Sequence, residues 1–263
     1  MKLSEEQVAE FNEQGFVYVP ELFSQAEVDV LMAEVAALFA EERPQNVREQ
    51  RGGVVRTNFA AHTYNDAYAR LGRHPRLIEP AMQLLDGPVY IHQFKINGKA
   101  AFDGDVWQWH QDYGTWANDD LMPEPRAMNL ALFLSEVTEF NAPLMFIPGS
   151  HKGGRIEAGH DVATTSYPLW TIDDETIARL IAQNGMYAAK GPPGAGLFFH
   201  SNLVHGSGSN MSPWNRVIVY ISVCHVDNHI RRFKRPEWIA HRDFTPIECL
   251  PDDCLRTAGR TSA

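Results

Sequence analysis

The stretch of this chain best equipped for chemistry is Trp107-Gln108-Trp109-His110-Gln111-Asp112-Tyr113-Gly114-Thr115-Trp116. His110 and Asp112 stand two residues apart, and in a β-strand the side chains at i and i+2 leave the same face. An imidazole and a carboxylate could therefore reach one point. Far downstream, Phe198-Phe199-His200-Ser201-Asn202-Leu203-Val204-His205-Gly206-Ser207 offers a further imidazole. Two imidazoles and a carboxylate on one side of a metal leave the opposite positions open, the facial arrangement of non-haem Fe(II) oxygenases. A His-x-Asp triplet alone is weak, because a hydrogen-bonded core histidine and a turn aspartate beside Tyr113-Gly114 would also account for it.

Arg216 strengthens the metal reading. It precedes the apolar run Val217-Ile218-Val219-Tyr220-Ile221-Ser222-Val223, where a guanidinium is costly to bury unless it meets a carboxylate. A dicarboxylate cosubstrate would supply one; so would a protein Asp or Glu. Arg56 suits either a substrate carboxylate or a surface ion pair, and Lys95 either an anion contact or a solvated strand face. Trp107, Trp109 and Phe102 read as wall and core. His200, at a strand end, reads with His62, His92 and His151 as structural hydrogen bonding. Gly191-Pro192-Pro193-Gly194-Ala195-Gly196 lacks the lysine-serine ending of a phosphate loop and reads as a turn.

The elements that must position these residues change character along the chain. Ser4 caps a helix over 5–13, Gly15 stops it, and Phe16–Pro20 is a strand ended by proline. Ser24 caps a stronger helix to about Glu42, with Val28, Leu31, Met32, Val35 and Leu38 at helical spacing. Pro44 to Gly53 reads as a solvating loop, Val54–Phe59 as a strand, and Pro75–Leu85 as a helix closed by Asp86-Gly87. Short apolar runs then dominate: Val89–Asn97, Ala127–Leu134, Pro143–Ile147, Gly196–Phe199, Leu203–His205 and Arg216–Cys224. One helix over about 173–183, capped by Thr171, interrupts them. Helices followed by many short strands predict a β-sandwich or barrel under an N-terminal helical layer.

The 263 residues, 44% hydrophobic and 21% charged, are ordinary for a globular protein. The net charge of −10 argues against a nucleic-acid or anionic-membrane partner. No apolar run approaches the roughly 18 residues that cross a bilayer, and the polar start carries no signal-peptide core. Cys224, Cys249 and Cys254 lack paired metal spacing and predict free thiols in a cytoplasmic protein, the last two at the surface.

The set Trp109-His110-Gln111-Asp112, Asn141-Ala142-Pro143-Leu144-Met145-Phe146-Ile147-Pro148-Gly149-Ser150-His151-Lys152, and His205-Gly206-Ser207 with Arg216 resembles the phytanoyl-CoA dioxygenase (PhyH) superfamily. The similarity spans about 15–227 and is most specific over 90–152. Within the superfamily, Tyr90–Asn97 and Pro125–Asn129 are similar to bacterial small-zwitterion hydroxylases such as those of ectoine and leucine C5.

The resemblance implies one domain over 1–263: a helical layer about 1–86, a double-stranded β-helix (jelly-roll, cupin-like) core about 87–226, and an irregular cover 227–263. It implies His110, Asp112 and His205 as Fe(II) ligands. Arg216 and Ser207 would hold 2-oxoglutarate, Gln93 and Asn97 would line the cosubstrate site, and Trp116 and Lys95 would face substrate; Arg56, outside the motifs that carry the resemblance, is a further candidate for a substrate carboxylate. Around Trp116, the run Tyr113–Asn118 departs from the ectoine enzymes' pattern. The implied reaction consumes O2 and 2-oxoglutarate, releases succinate and CO2, and hydroxylates an unactivated C–H. Halogenating relatives carry Ala or Gly in place of the carboxylate, so Asp112 points to hydroxylation.

An acyl-CoA would want a basic groove that this acidic chain lacks, so the expected substrate is a free amino acid or similar small zwitterion. The expected assembly is a monomer or homodimer. Rival readings are an oxygenase of another natural-product intermediate, a cupin-like Zn or Mn isomerase or hydrolase, and a non-catalytic binding jelly roll. Arg216 separates them, since a hydrolase has no standing need of a buried cation facing its metal.

Overall fold

Helix α1 (Glu5–Gln14) begins at a capping box: the Gln7 amide donates to the Ser4 hydroxyl at 3.2 Å, and the Ser4 amide to the Gln7 side chain at 3.0 Å. It ends at Gly15, whose φ of 84° is left-handed and where a Cβ would lie 2.5 Å from the His151 ring. The chain turns there directly into β1 (Phe16–Val19). Helix α2 (Gln25–Ala40) buries Val28, Leu31, Val35 and Leu38, the face its spacing predicts. The computed structural model describes residues 1–165 and 167–256; residues 257–263 of the expected cover lie outside them.

Pro44 to Gly53 is not the solvating loop its polarity suggested. It contains β2 (Asn46–Arg48), and Glu49 beside it is only 5% exposed. Then come β3 (Val55–Phe59), α3 (Asp66–Leu71), α4 (Pro75–Leu84) and β4 (Val89–Lys99). The part before residue 87 is therefore not purely helical, because β1, β2 and β3 all join a sheet. The following elements are β5 (Trp107–His110), α5 (Asp112–Asp119), β6 (Ala127–Phe133), β7 (Leu144–Phe146), β8 (Gly159–Asp161) and β9 (Leu169–Thr171). Helix α6 (Asp174–Asn184) is capped by Asp173, not Thr171, through a 2.8 Å bond from the Thr176 amide. The last strands are β10 (Tyr187–Ala189), β11 (Gly196–His200), β12 (His205–Ser207) and β13 (Arg216–His225). Strand β12 thus starts where the predicted Leu203–His205 strand ends.

The strands form two antiparallel sheets, ordered β1-β11-β6-β13-β4-β3-β2 and β10-β7-β12-β5-β9-β8, the mainly β jelly-roll arrangement expected. Burial on both faces of the larger sheet explains why β6 and β13 read as continuous apolar runs. Met128, Leu130 and Leu132 of β6, with Val217, Val219 and Ile221 of β13, pack under the N-terminal helices. Ala131, Phe133, Ile218 and Tyr220 point the other way, onto Leu144 and Phe146 of the smaller sheet. Each large apolar side chain buried there contributes about 1.5–3 kcal/mol. Among the described residues no helix is long and apolar enough to cross a membrane. None of the three cysteines forms a disulfide among the described residues; Cys249 is exposed, while Cys224 and also Cys254, expected at the surface, are buried.

Candidate metal centre and its cavity

Strand pairing sets the two imidazoles side by side. In the β5–β12 ladder His110 is the direct partner of His205, and their ring centroids are 4.1 Å apart. His110 Nδ1 is 2.6 Å from the Gln108 carbonyl and His205 Nδ1 2.9 Å from that of Leu203. Both rings are thereby oriented with Nε2 facing Asp112. Asp112 Oδ1 lies 3.8 Å from His110 Nε2, and Oδ2 lies 3.5 Å from His205 Nε2. Among the described residues this is the one group of three or more potential ligands, all within 4.8 Å of one another.

The geometry differs from the strand argument in one respect. Strand β5 ends at His110, Gln111 is the helix cap, and Asp112 is the first residue of α5. Asp112 reaches the site from a helix start, where a negative charge is favoured, and not from a shared strand face. Gln111 pins that junction: its amide donates to the Gly154 and Asn202 carbonyls at 2.9 and 2.6 Å and accepts from the Ile156 amide at 2.8 Å. The Asp112 carboxylate also accepts from Asn129 Nδ2 at 2.7 Å, and the Ser222 hydroxyl donates to Asn129 Oδ1 at 2.6 Å.

Charge states follow from these surroundings. Burial pushes the Asp112 carboxyl up, but Lys95, the two imidazoles and Asn129 together outweigh it and bring it to about 2. Burial, reinforced by His205, brings His110 down to about 3; burial also lowers His205. The cluster is two neutral imidazoles and an ionised carboxylate, a donor set ready for a divalent cation without losing a proton. The close His–Asp approaches are therefore not ion pairs.

These residues share a cleft of about 640 Å³, mouth included, lined also by Gln93, Lys95, Asn97, Trp116, Ser207 and Arg216. Arg216 is 1% exposed. One Nη donates to the Ala142 carbonyl, its Nε has no partner among the described residues, and no salt bridge to a protein carboxylate is found there. Ala142 holds a left-handed φ of 61°, and the Asn141 side chain braces it by donating to the Glu136 carbonyl at 2.9 Å. Trp116 Nε1 donates to Gln93 at 3.2 Å, and Thr57 donates to Asn97 at 3.0 Å.

Arg56 is not brought into the cleft. Its guanidinium is buried against both Glu49 oxygens at 3.1 Å, donates to the Val106 carbonyl at 2.6 Å and lies 3.8 Å behind the Trp107 ring. Lys95 is partly buried in the cleft, not on a solvated face, with burial lowering its pKa. Among the lining residues to which the sequence assigned no role are three polar ones, Tyr220, Tyr167 and Arg235, besides apolar wall such as Phe59 and Phe199. Arg235 comes from the irregular cover and is held by Asp120, whose carboxylate accepts from its Nε at 2.8 Å and from Nη2. Its one sequence signal is a cation followed closely by an aromatic, Arg235-Pro236-Glu237-Trp238.

The sequence matches the family description "Phytanoyl-CoA dioxygenase (PhyH)" over residues 11–218. The chain belongs to the PhyH family. Among curated proteins it is 34% identical to L-proline trans-4-hydroxylase of Streptomyces griseoviridis, covering 93% of this chain and 95% of that one. It is also 34% identical to ectoine dioxygenase of Bordetella parapertussis, covering 98% and 88% respectively. Among solved structures, EctD from S. alaskensis with 2-oxoglutarate and 5-hydroxyectoine superposes with a TM-score of 0.85 at 32% identity, over 94% of this chain and 87% of that one. In this PhyH protein the match ends inside β13, so the segment that delivers Arg235 lies beyond it.

Proposed function

We propose that this PhyH protein is an Fe(II)- and 2-oxoglutarate-dependent hydroxylase of a free amino acid or a similarly small zwitterion. The observation that carries the reading is a metal-ready His110/Asp112/His205 cluster in one cleft with Arg216, a buried cation with no carboxylate partner among the described residues. The residues fit both groups: the imidazoles and carboxylate would hold iron, and Arg216 with Ser207 would take the distal carboxylate of 2-oxoglutarate. When bound, iron, 2-oxoglutarate and O2 supply the oxidation, yielding succinate, CO2 and one hydroxyl on the substrate.

The chain's own part is positioning and exclusion of water. Trp116, Phe199 and Tyr220 wall the cleft, while Gln93 and Asn97 offer amides to the bound molecules. Lys95 and Arg235 remain as cations for a substrate carboxylate. Asp112 is the only carboxylate among the described lining residues, so a substrate ammonium would meet the aromatic wall of Phe59, Trp107 and Tyr167. That favours a weakly hydrated secondary amine, in keeping with the proline hydroxylase among the relatives. Three cysteines without a disulfide among the described residues suit a reducing, cytoplasmic setting; the assembly we propose is a monomer or homodimer.

The experiment supplies Fe(II), 2-oxoglutarate and O2 with a panel of amino acids including L-proline and ectoine, and reads succinate and a product heavier by one oxygen. His110→Ala and Asp112→Ala should each abolish both signals with the fold intact. Turnover retained in either variant rejects the ligand set, and no product across the panel rejects the substrate class.

A further inference from the structure

Asp120 has no place in the chemistry above, yet it is fully buried, at 0% exposure. It follows the last residue of α5, the helix that begins at Asp112 and carries Trp116 into the cleft. Three parts of the molecule converge on it. Its carbonyl accepts from the Arg231 and Arg232 amides at 3.0 and 2.8 Å. Its carboxylate takes the fork of Arg235, through Nε at 2.8 Å and through Nη2. His92 Nε2 stands 3.4 Å from Oδ2, and that ring packs edge-on against Trp116 at 5.0 Å.

From this geometry we infer that Asp120 is a positioning residue for substrate recognition, locking Arg235 over the cleft so that its remaining N–H groups face a substrate carboxylate. The inference rests on the hydroxylase reading above. A guanidinium has five donors in a rigid plane, and Asp120 uses the Nε–Nη2 edge. The rest of the guanidinium is on the cleft side, beside the Tyr167 hydroxyl, and Arg235 lines the cleft together with Tyr167 and Lys95. An arginine on an irregular segment would otherwise sample many rotamers, each lost on binding. A buried carboxylate removes that freedom beforehand. It also ties the cover to the same helix that supplies Asp112, so the depth of the substrate carboxylate is set relative to the metal by one short, stiff element.

The test compares Asp120→Asn, Asp120→Glu, Arg235→Gln and the double variant Asp120→Asn/Arg235→Gln in the full-length, iron-loaded enzyme. The measurements are KM and kcat with the best amino acid of the panel and with its carboxamide, plus calorimetric binding of L-proline. Losing a buried, charge-assisted fork should raise the amino-acid KM about 10- to 100-fold for Asp120→Asn, with the smaller change in kcat. The preference for carboxylate over carboxamide should shrink by a similar factor, which a general loosening of the fold would not produce. Asp120→Glu should recover part of the loss, and the double variant should be no worse than Arg235→Gln. If Asp120→Asn folds poorly, Asp120→Glu and the double variant still decide, since the first keeps the charge pair and the second removes both charges together. Additive losses, or an unchanged preference for carboxylate, overturn the inference while leaving the hydroxylase reading intact. A wild-type enzyme that binds L-proline in an Asp120-dependent way yet hydroxylates nothing would do the reverse.

Discussion

The inner and outer ends of the cleft are built on different principles. At the inner end His110, His205 and Arg216 stand on β5, β12 and β13, and Asp112 on the first turn of α5. Strand pairing fixes their separations to within a side-chain rotamer. At the outer end Tyr167 precedes β9 within a loop and Arg235 comes from a segment with no regular structure, placed only by what it touches. Groups that must hold a fixed geometry sit on ladders, and groups that choose the substrate sit where the chain can vary without disturbing them. The family match, ending at residue 218, includes the first set and leaves Arg235 outside.

The largest effect that would sharpen this contrast is at Arg216. Arg216→Gln should weaken 2-oxoglutarate by about 2–5 kcal/mol, the range for truncating one member of a buried charge pair. The amino-acid KM should move much less, as read from initial rates with each ligand varied in turn. Equal shifts in both would show that the two ends are not separable.

Acidification probes the outer end from another side. His241, on the same irregular segment as Arg235 though outside the cleft lining, packs at 4.7 Å against His62. Burial, aided by His92, lowers His241 to about 4, and burial, aided by His241, lowers His62 to about 3. A histidine whose folded pKa is depressed takes its proton first in the unfolded chain. Its stabilising contribution is therefore present above about pH 6.5 and is lost as pH falls toward 4, by up to about 3 kcal/mol for His241. His241→Gln should move the acid-unfolding midpoint to lower pH, followed by circular dichroism. An unmoved midpoint would exclude His241 as a source of the acid sensitivity.

How much of this could be read without coordinates follows the same division. The ligand residues stood out because imidazole and carboxylate in that spacing have few structural uses, and Arg216 because a cation heading an apolar strand demands an anion. The geometry assigned to Asp112 was wrong, since α5 is written in Gly114, Thr115, Asn118 and Asp119, poor helix formers that conceal a helix. Arg56 misled for a related reason: its partner Glu49 lies in a polar stretch indistinguishable from a solvent loop, so the ion pair was invisible until the fold buried both. Arg235 has no periodicity around it at all. Its position depends on Asp120, far away in the sequence, and no local pattern records that contact.

The smallest effect concerns what holds the inner end rigid. Asn129 looks like one more residue of an apolar strand, yet its Nδ2 donates to the Asp112 carboxylate at 2.7 Å. The amide's orientation is determined, because the ionised Asp112 carboxylate can only accept and so takes the nitrogen, leaving Oδ1 to accept from the Ser222 hydroxyl at 2.6 Å. Asn129→Ala should therefore leave the ligands in place but free the carboxylate to rotate, lowering metal affinity by about 10- to 100-fold. Titration of metal-free protein with Fe(II) under anaerobic conditions measures this directly, apart from turnover. Ser222→Ala should show a weaker loss of the same kind, because the amide keeps its carboxylate partner and loses only the hydroxyl that steadies its oxygen. If Asn129→Ala binds iron as tightly as the parent, the ladder alone suffices to fix Asp112, and the contrast between a braced inner end and a tethered outer end loses its structural basis.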